Sequence, residues 1–221
     1  MRTKENYIIS LISQGEHQML DFKYEISDAM KMARTFSSFA NTDGGILLIG
    51  VKDNGKIKGV RTDEEYYMAE SAAKIYCNPE VPFTAEKWIV EGKTVLEIRI
   101  PPSVKKPHYA RDRDYKWQAY VRVKDENMAA NPVLLKVWKI KKSRKGVLIK
   151  YSKHEKHLME YLSVHVEISL PRFAFIARLK ESEAEDILAR LISFGIIEMQ
   201  LSLEKITFKL TERGLLVEEN H

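Results

Sequence analysis

The chain has 221 residues, 44% hydrophobic and 30% charged, with 36 Lys and Arg against 31 Asp and Glu, a formal net charge of +5. That composition supports a packed core and excludes a disordered or strongly acidic protein. No apolar run approaches the roughly 20 residues of a membrane span, no long apolar stretch follows the N-terminus as in a secretory signal, and the single cysteine, Cys77, leaves no disulfide within the chain. A cytoplasmic protein with no membrane partner is the expectation.

In chain order, Tyr7 to Ile12 predicts a short opening helix and Met19 to Tyr24 a strand. Ser27 or Asp28 can cap a helix whose apolar residues Ala29, Met32, Ala33, Phe36, Phe39 and Ala40 share one face. Gly44-Gly45 stops it, and Ile46 to Val51 follows as a continuously apolar strand of the kind buried on both faces. Asp53-Asn54-Gly55 is a tight turn, with Ile57 to Val60 as its return. A helix fits Asp63 to Tyr76. Strands fit Phe83–Val90 and Thr94–Ile100 around Glu91-Gly92-Lys93, and another fits Ala119–Val123. Asn131-Pro132 opens a helix to about Ile140. The mixed order predicts an α+β fold around a mixed sheet.

The last seventy residues have another pattern. Helices are predicted at His154–His165, at Leu170–Leu179 and from a Ser182 cap to Phe194, then a hairpin of Ile196–Met199 with Ile206–Leu210. Three short helices and a β-ribbon form the winged-helix layout, a variant of the helix-turn-helix. The expected organisation is therefore a domain at 1–135, a basic linker or helix at 136–150, and a winged helix at 151–221.

Charge divides the same way. Residues 1–150 carry 27 Lys and Arg against 19 Asp and Glu, a net of +8, and residues 151–221 carry 9 against 12, a net of −3. A polyanion such as DNA or RNA belongs on the first part. Two stretches stand out there. Lys105, Lys106, Arg111, Arg113, Lys116 and Arg122 are interleaved with Tyr109, Tyr115, Trp117 and Tyr120, and aromatic faces stack on unpaired bases. Lys141, Lys142, Arg144 and Lys145 lie in a run without acids. The plainer account of both is a solvated strand or helix face, with Trp117 and Tyr120 in the core. In the winged helix, Glu181, Glu183, Glu185 and Asp186 open the third helix. They suit a helix N-terminus but would repel phosphate in a groove.

One segment resembles a known family. Glu16, then Leu20-Asp21-Phe22-Lys23, Phe39-Ala40-Asn41-Thr42-Asp43-Gly44-Gly45, Ile46 to Gly50-Val51, Asp53, Gly55 and Gly59 follow in order the pattern of the Schlafen-type AlbA-like domain, also called the divergent AAA domain. Asp21 stands where that pattern has Glu. The similarity extends over roughly residues 10 to 130. Bacterial members are often joined to winged helices and described as transcriptional regulators or ATP-binding proteins. Some relatives cut structured RNA with three carboxylates, which the resemblance places on Glu16, Asp21 and Asp53, with Mg²⁺ or Mn²⁺ as the ion and Lys23 beside it. Asp53 can equally be a turn residue, and Asp21 with Lys23 a surface ion pair. ATP has only the family description behind it, since neither a Walker loop nor Gly-x-Gly-x-x-Gly is present.

Three functions follow. The first is a nucleic-acid-binding protein, a DNA-binding transcriptional regulator. The second is a metal-dependent RNA endonuclease. The third is a scaffold whose acidic winged helix pairs subunits into a homodimer. No cofactor is required by the first or the third.

Overall fold

The computed structural model describes residues 2–143 and 152–218. The chain divides into two compact units, Met1–Ala130 and Asn131–His221. In the first, α1 (Arg2–Ile12), β1 (Leu20–Lys23), α2 (Ala29–Asn41), β2 (Gly45–Ile49) and α3 (Glu64–Lys74) precede six strands. These are β3 (Cys77–Asn78), β4 (Thr84–Val90), β5 (Lys93–Ile100), β6 (Tyr109–Arg111), β7 (Trp117–Val123) and β8 (Glu126–Ala129). They form two sheets, β1-β2-β5-β4 and β3-β6-β7-β8. Strands β1 and β2 are parallel, and α2 supplies the crossover such a pair needs.

Both faces of the first sheet are covered. Leu47 and Ile49 of β2 pack with Phe36 and Phe39 of α2, while Leu48 and Val51 pack with Ile8 of α1 and Val95 of β5. A strand enclosed on both sides has no polar face to alternate with, which is why Ile46 to Ile49 is uniformly apolar. Helix α1 is further tied down by Glu97, a buried carboxylate. It accepts hydrogen bonds from Tyr7 Oη at 2.8 Å and Trp88 Nε1 at 2.7 Å. Strands β4 and β5 join through Glu91 and Gly92, at φ 52° and 70°, two positive values that match strand twist.

Helix α2 is buried almost all round. Asp28 is its N-cap, accepting from the backbone N–H of Met30 and Lys31. Its apolar stripe faces the first sheet, but Thr35, Ser37, Ser38 and Asn41 are buried too, and buried polar groups need partners. The second sheet provides them. Asn41 Nδ2 donates to the carbonyls of His108 at 2.8 Å and Tyr120 at 2.9 Å, and Asn41 Oδ1 accepts from His108 N–H at 2.8 Å. Ser37 Oγ donates to His108 O at 2.7 Å and accepts from Tyr120 N–H at 3.1 Å. The His108 ring sits between Pro79 O and Ser103 Oγ, and burial holds its pKa below the ordinary imidazole value.

Gly44 and Gly45 close α2 for steric reasons. A Cβ on Gly44, at φ 75°, would lie 2.7 Å from Ile100 O, and one on Gly45 would lie 2.6 Å from the Phe39 ring. The Gly44 N–H is bonded to Phe39 O, so this turn is filled by its own chain rather than left open as a phosphate cradle.

The second unit contains α4 (Pro132–Lys142), α5 (Lys153–Val164), α6 (Leu170–Ala177), α7 (Glu181–Ser193), β9 (Ile197–Leu201), β10 (Ile206–Leu210) and α8 (Glu212–Glu218). Val133 and Val137 of α4 share a core with Leu158, Phe173, Leu188 and Phe208. Strands β9 and β10 pair antiparallel. Helix α7 starts one residue before the expected Ser182 cap. Its first turn is instead closed by Glu183, whose carboxylate accepts from Lys180 N–H at 2.9 Å.

Asn41→Ala would orphan His108 N–H and Tyr120 C=O together. We expect a loss of about 3 kcal/mol or more in urea unfolding; a loss under about 1 kcal/mol would contradict the role given to Asn41.

Candidate nucleic-acid interface and carboxylate cluster

Asp21 and Lys23 alternate on β1 and so point to one side. The Asp21 side chain is 3% exposed. Its Oδ1 takes Arg122 Nη2 at 3.0 Å, and its Oδ2 lies 2.9 Å from Lys23 Nζ without hydrogen-bond alignment. Glu16 stands at the edge of β1, where its Oε1 accepts from Phe22 N–H at 2.9 Å and lies 3.8 Å from Lys23 Nζ. Burial raises the Glu16 pKa, nearby Asp21 adds to the rise, and the Phe22 N–H and Lys23 oppose it.

The structure thus brings Glu16, Asp21 and Lys23 together, but not Asp53. Asp53 is exposed in the turn closed by Gly55 N–H to Lys52 O. Among the described residues no three His, Cys, Asp or Glu side chains are placed to hold a metal ion. The expected triad is not assembled, because Arg122 and Lys23 engage Asp21 while a backbone N–H takes Glu16. This donor set does not fit a Mg²⁺ or Mn²⁺ centre, which needs several oxygens free to converge.

Arg122 is also a correction. Its side chain is 1% exposed, so it is no nucleic-acid contact. Beyond Asp21 it reaches Asn127 Oδ1 at 3.2 Å and lies 5.1 Å from the centre of the Phe39 ring. Asn127 in turn accepts from Ser38 Oγ at 2.6 Å and donates to Thr35 Oγ1 at 3.0 Å. One chain of bonds therefore runs from β1 through β7 and β8 to α2. Asn127 carries it, and no motif or periodicity in the sequence points to it.

The remaining basic residues divide by environment. Lys106 Nζ bonds Thr42 O at 3.0 Å, beside the C-terminal end of α2, where a cation is favourable. Arg113 Nη2 bonds Asp28 Oδ2 at 2.6 Å, which draws the Asp28 pKa down and pins the β6–β7 loop to the start of α2. Lys105 and Lys116 are exposed. Lys141 and Lys142 are exposed on the last turn of α4, and Arg144 and Lys145 lie outside the described residues.

Arg111 is different. Its guanidinium carbon is 4.5 Å from the Tyr115 ring centre and 5.8 Å from that of Trp117, within cation–π range of both. Tyr115 is 66% and Trp117 42% exposed. The loop 112–116 is tight, held by Asp112 N–H to Lys116 O and by Lys116 N–H to Asp112 Oδ1, with Tyr115 at φ 61°. The result is a fixed Tyr–Arg–Trp group at a hairpin tip, with Lys116 in the same loop.

The family model described as Schlafen, AlbA_2 matches residues 16–131, just over half of the chain, and the chain belongs to that family. Among solved structures it is similar to the DIP2311 protein of Corynebacterium diphtheriae, at 20% identity and TM-score 0.45 over 90% of this chain and 35% of that one. It is also similar to the N-terminal domain of an ATP-dependent DNA helicase RecG-related protein of Nitrosomonas europaea, at 19% identity and TM-score 0.35 over 66% of this chain and 97% of that one. The chain therefore spans about a third of the DIP2311 chain. No curated protein matches it.

Two outcomes test the cluster. Arg122→Met should cost about 3–5 kcal/mol by leaving Asp21 charged, buried and without its guanidinium, and a second change, Asp21→Leu, should recover most of it; a harmless single change would refute the buried pair. Because the folded pKa of Glu16 is raised, the stability it contributes is full below about pH 4.5 and is lost as pH rises through the folded value. Glu16→Gln should therefore gain on the parent as pH rises above about 4.5, whereas parallel urea-midpoint profiles would contradict the shift.

Proposed function

We propose that this chain is a nucleic-acid-binding protein whose first unit holds an unpaired stretch of DNA or RNA at the β6–β7 hairpin. The observation that carries this reading is the Tyr115–Arg111–Trp117 group. Aromatic faces and a guanidinium plane are what unstacked bases settle on, and neither needs a particular sequence. Lys105 and Lys116 remain exposed to meet phosphates. Membership of the Schlafen AlbA_2 family agrees with a nucleic-acid partner; net charge does not single out this unit, because residues 1–130 carry 20 Lys and Arg against 19 Asp and Glu and the basic excess of the first 150 residues lies in 131–150.

The order α5, α6, α7, β9, β10 supports reading the second unit as a winged helix. A strand-holding unit joined to such a module suits a regulator that occupies nucleic acid without cutting it. Endonuclease chemistry has no comparable support, since Asp21 is committed to Arg122 and Asp53 stands in a separate turn.

A gel shift with tRNA, whose loops offer unpaired bases, tests the proposal. Trp117→Ala should weaken binding roughly tenfold, the order expected for one lost stacking contact, and affinity should fall steeply with salt. Unchanged affinity in the variant would remove the hairpin from the interface.

A further inference from the structure

Helix α7 is the element a winged helix would lay in a duplex groove, yet it has little surface to offer. From Ile187 to Ser193 none of its residues is exposed. Its exposed start carries the acids Glu181, Glu183 and Asp186, which would repel phosphate, and Lys136 Nζ of α4 is spent there on Glu185 at 3.0 Å, Asp186 at 2.7 Å and Ser182 O at 2.9 Å. A second open surface of this unit lies on α5 and α6.

On α6, Arg172 and Phe175 are exposed three residues apart, and Arg178 follows at the same interval at the helix end. Phe175 is 73% exposed. The Arg172 guanidinium carbon lies 5.9 Å from the Phe175 ring centre and 6.0 Å from that of Tyr161 on α5. Tyr161 stacks on His165, with centres 4.0 Å apart and planes 5° from parallel. The four side chains thus form a ladder of His165, Tyr161, Arg172 and Phe175, its last ring open to solvent.

Charge decides what fits this ladder. Among the described residues neither Arg172 nor Arg178 has a carboxylate partner. Glu167, five residues before Arg172, is engaged by Lys205, and Glu160 by Lys156 at 3.8 Å, while Glu181 and Glu183, three and five residues after Arg178, are exposed and make no ion pair with it. A protein docking its apolar surface on Phe175 would have to desolvate uncompensated guanidinium groups. An unpaired nucleic-acid strand brings a phosphate for each arginine and a base for the open ring. We propose that the α5–α6 face, through Phe175, Tyr161, Arg172 and Arg178, is a second binding site for single-stranded nucleic acid, used in place of groove reading by α7. It shares its ligand class with the hairpin site but rests on different residues.

The test uses the full chain and a fluorescein-labelled 20-nucleotide oligodeoxythymidine, read by anisotropy across a salt series. Phe175→Ala should weaken binding roughly tenfold. Arg172→Gln with Arg178→Gln should flatten the logarithmic salt dependence by about 1.4, the single-strand value for two phosphates. Ultraviolet cross-linking should label the peptides that carry Tyr161 or Phe175. Both phenylalanine and arginines are exposed, and unchanged circular dichroism confirms that the variants fold. If Phe175→Ala binds like the parent while Trp117→Ala is weakened, this site falls and the hairpin stands. If only Phe175→Ala is weakened, this site stands and the hairpin falls. If the parent binds no oligonucleotide, both fall. If poly-glutamate of equal charge displaces the strand as well as unlabelled oligodeoxythymidine does, the face takes acidic polymers in general and the proposal is overturned.

Discussion

Helix α2 is polar along a face that the fold buries, and the first unit is arranged to answer that. Four hydrogen-bonding side chains, Thr35, Ser37, Ser38 and Asn41, are removed from water on one helix. Each would be costly if left without partners. Their partners come from strands far along the chain, His108 and Tyr120 for Ser37 and Asn41 and Asn127 for Thr35 and Ser38. The second sheet is therefore positioned by directed bonds, whereas the first is positioned by apolar contact. Arg122 extends the same network to Asp21, so the two sheets share a buried polar seam.

That seam also decides which motif residues remain free for function. Asn41 is a clip between helix and strands, the paired glycines permit close packing, and Glu16 satisfies an edge-strand N–H. Asp21 neutralises a buried guanidinium. With these residues held by the fold, the exposed aromatics and unneutralised cations become the informative surface. In the first unit the hairpin between β6 and β7, which Arg113 anchors through Asp28, gathers two exposed aromatics, Tyr115 and Trp117, about Arg111.

Much of the framework was legible in the sequence where a local rule governs it. The apolar run from Ile46 to Ile49 announced a strand covered on both faces, Ser27 or Asp28 announced a helix start, which Asp28 makes, and Glu91-Gly92-Lys93 announced a break between two strands, of which Lys93 proves to open β5. Strands β3, β6 and β8, of two to four residues, were not legible. They are too short to show a period, and β6 is fixed in part by Asn41, 67 residues before His108. The basic stretch showed residue types but not partners. Arg122 reads as a wet strand residue until Asp21, 101 positions away, is seen beside it. Arg113 loses part of its freedom to Asp28, 85 positions away. The stack around Arg111 was half visible, since the aromatics were evident while the loop geometry that gathers them depends on Tyr115 at positive φ.

The emission of tryptophan offers the most direct measurement of whether bases settle on the hairpin. Of the three tryptophans, Trp138 is 8% exposed, Trp88 is half-buried against Tyr7, and Trp117 sits on the Tyr–Arg–Trp group. Titration with an unlabelled single strand should quench the fluorescence saturably, with the loss confined to the Trp117 signal, and a blunt duplex of the same sequence should quench far less. Emission untouched by the single strand, or lowered equally by the duplex, would contradict an interface built on stacking.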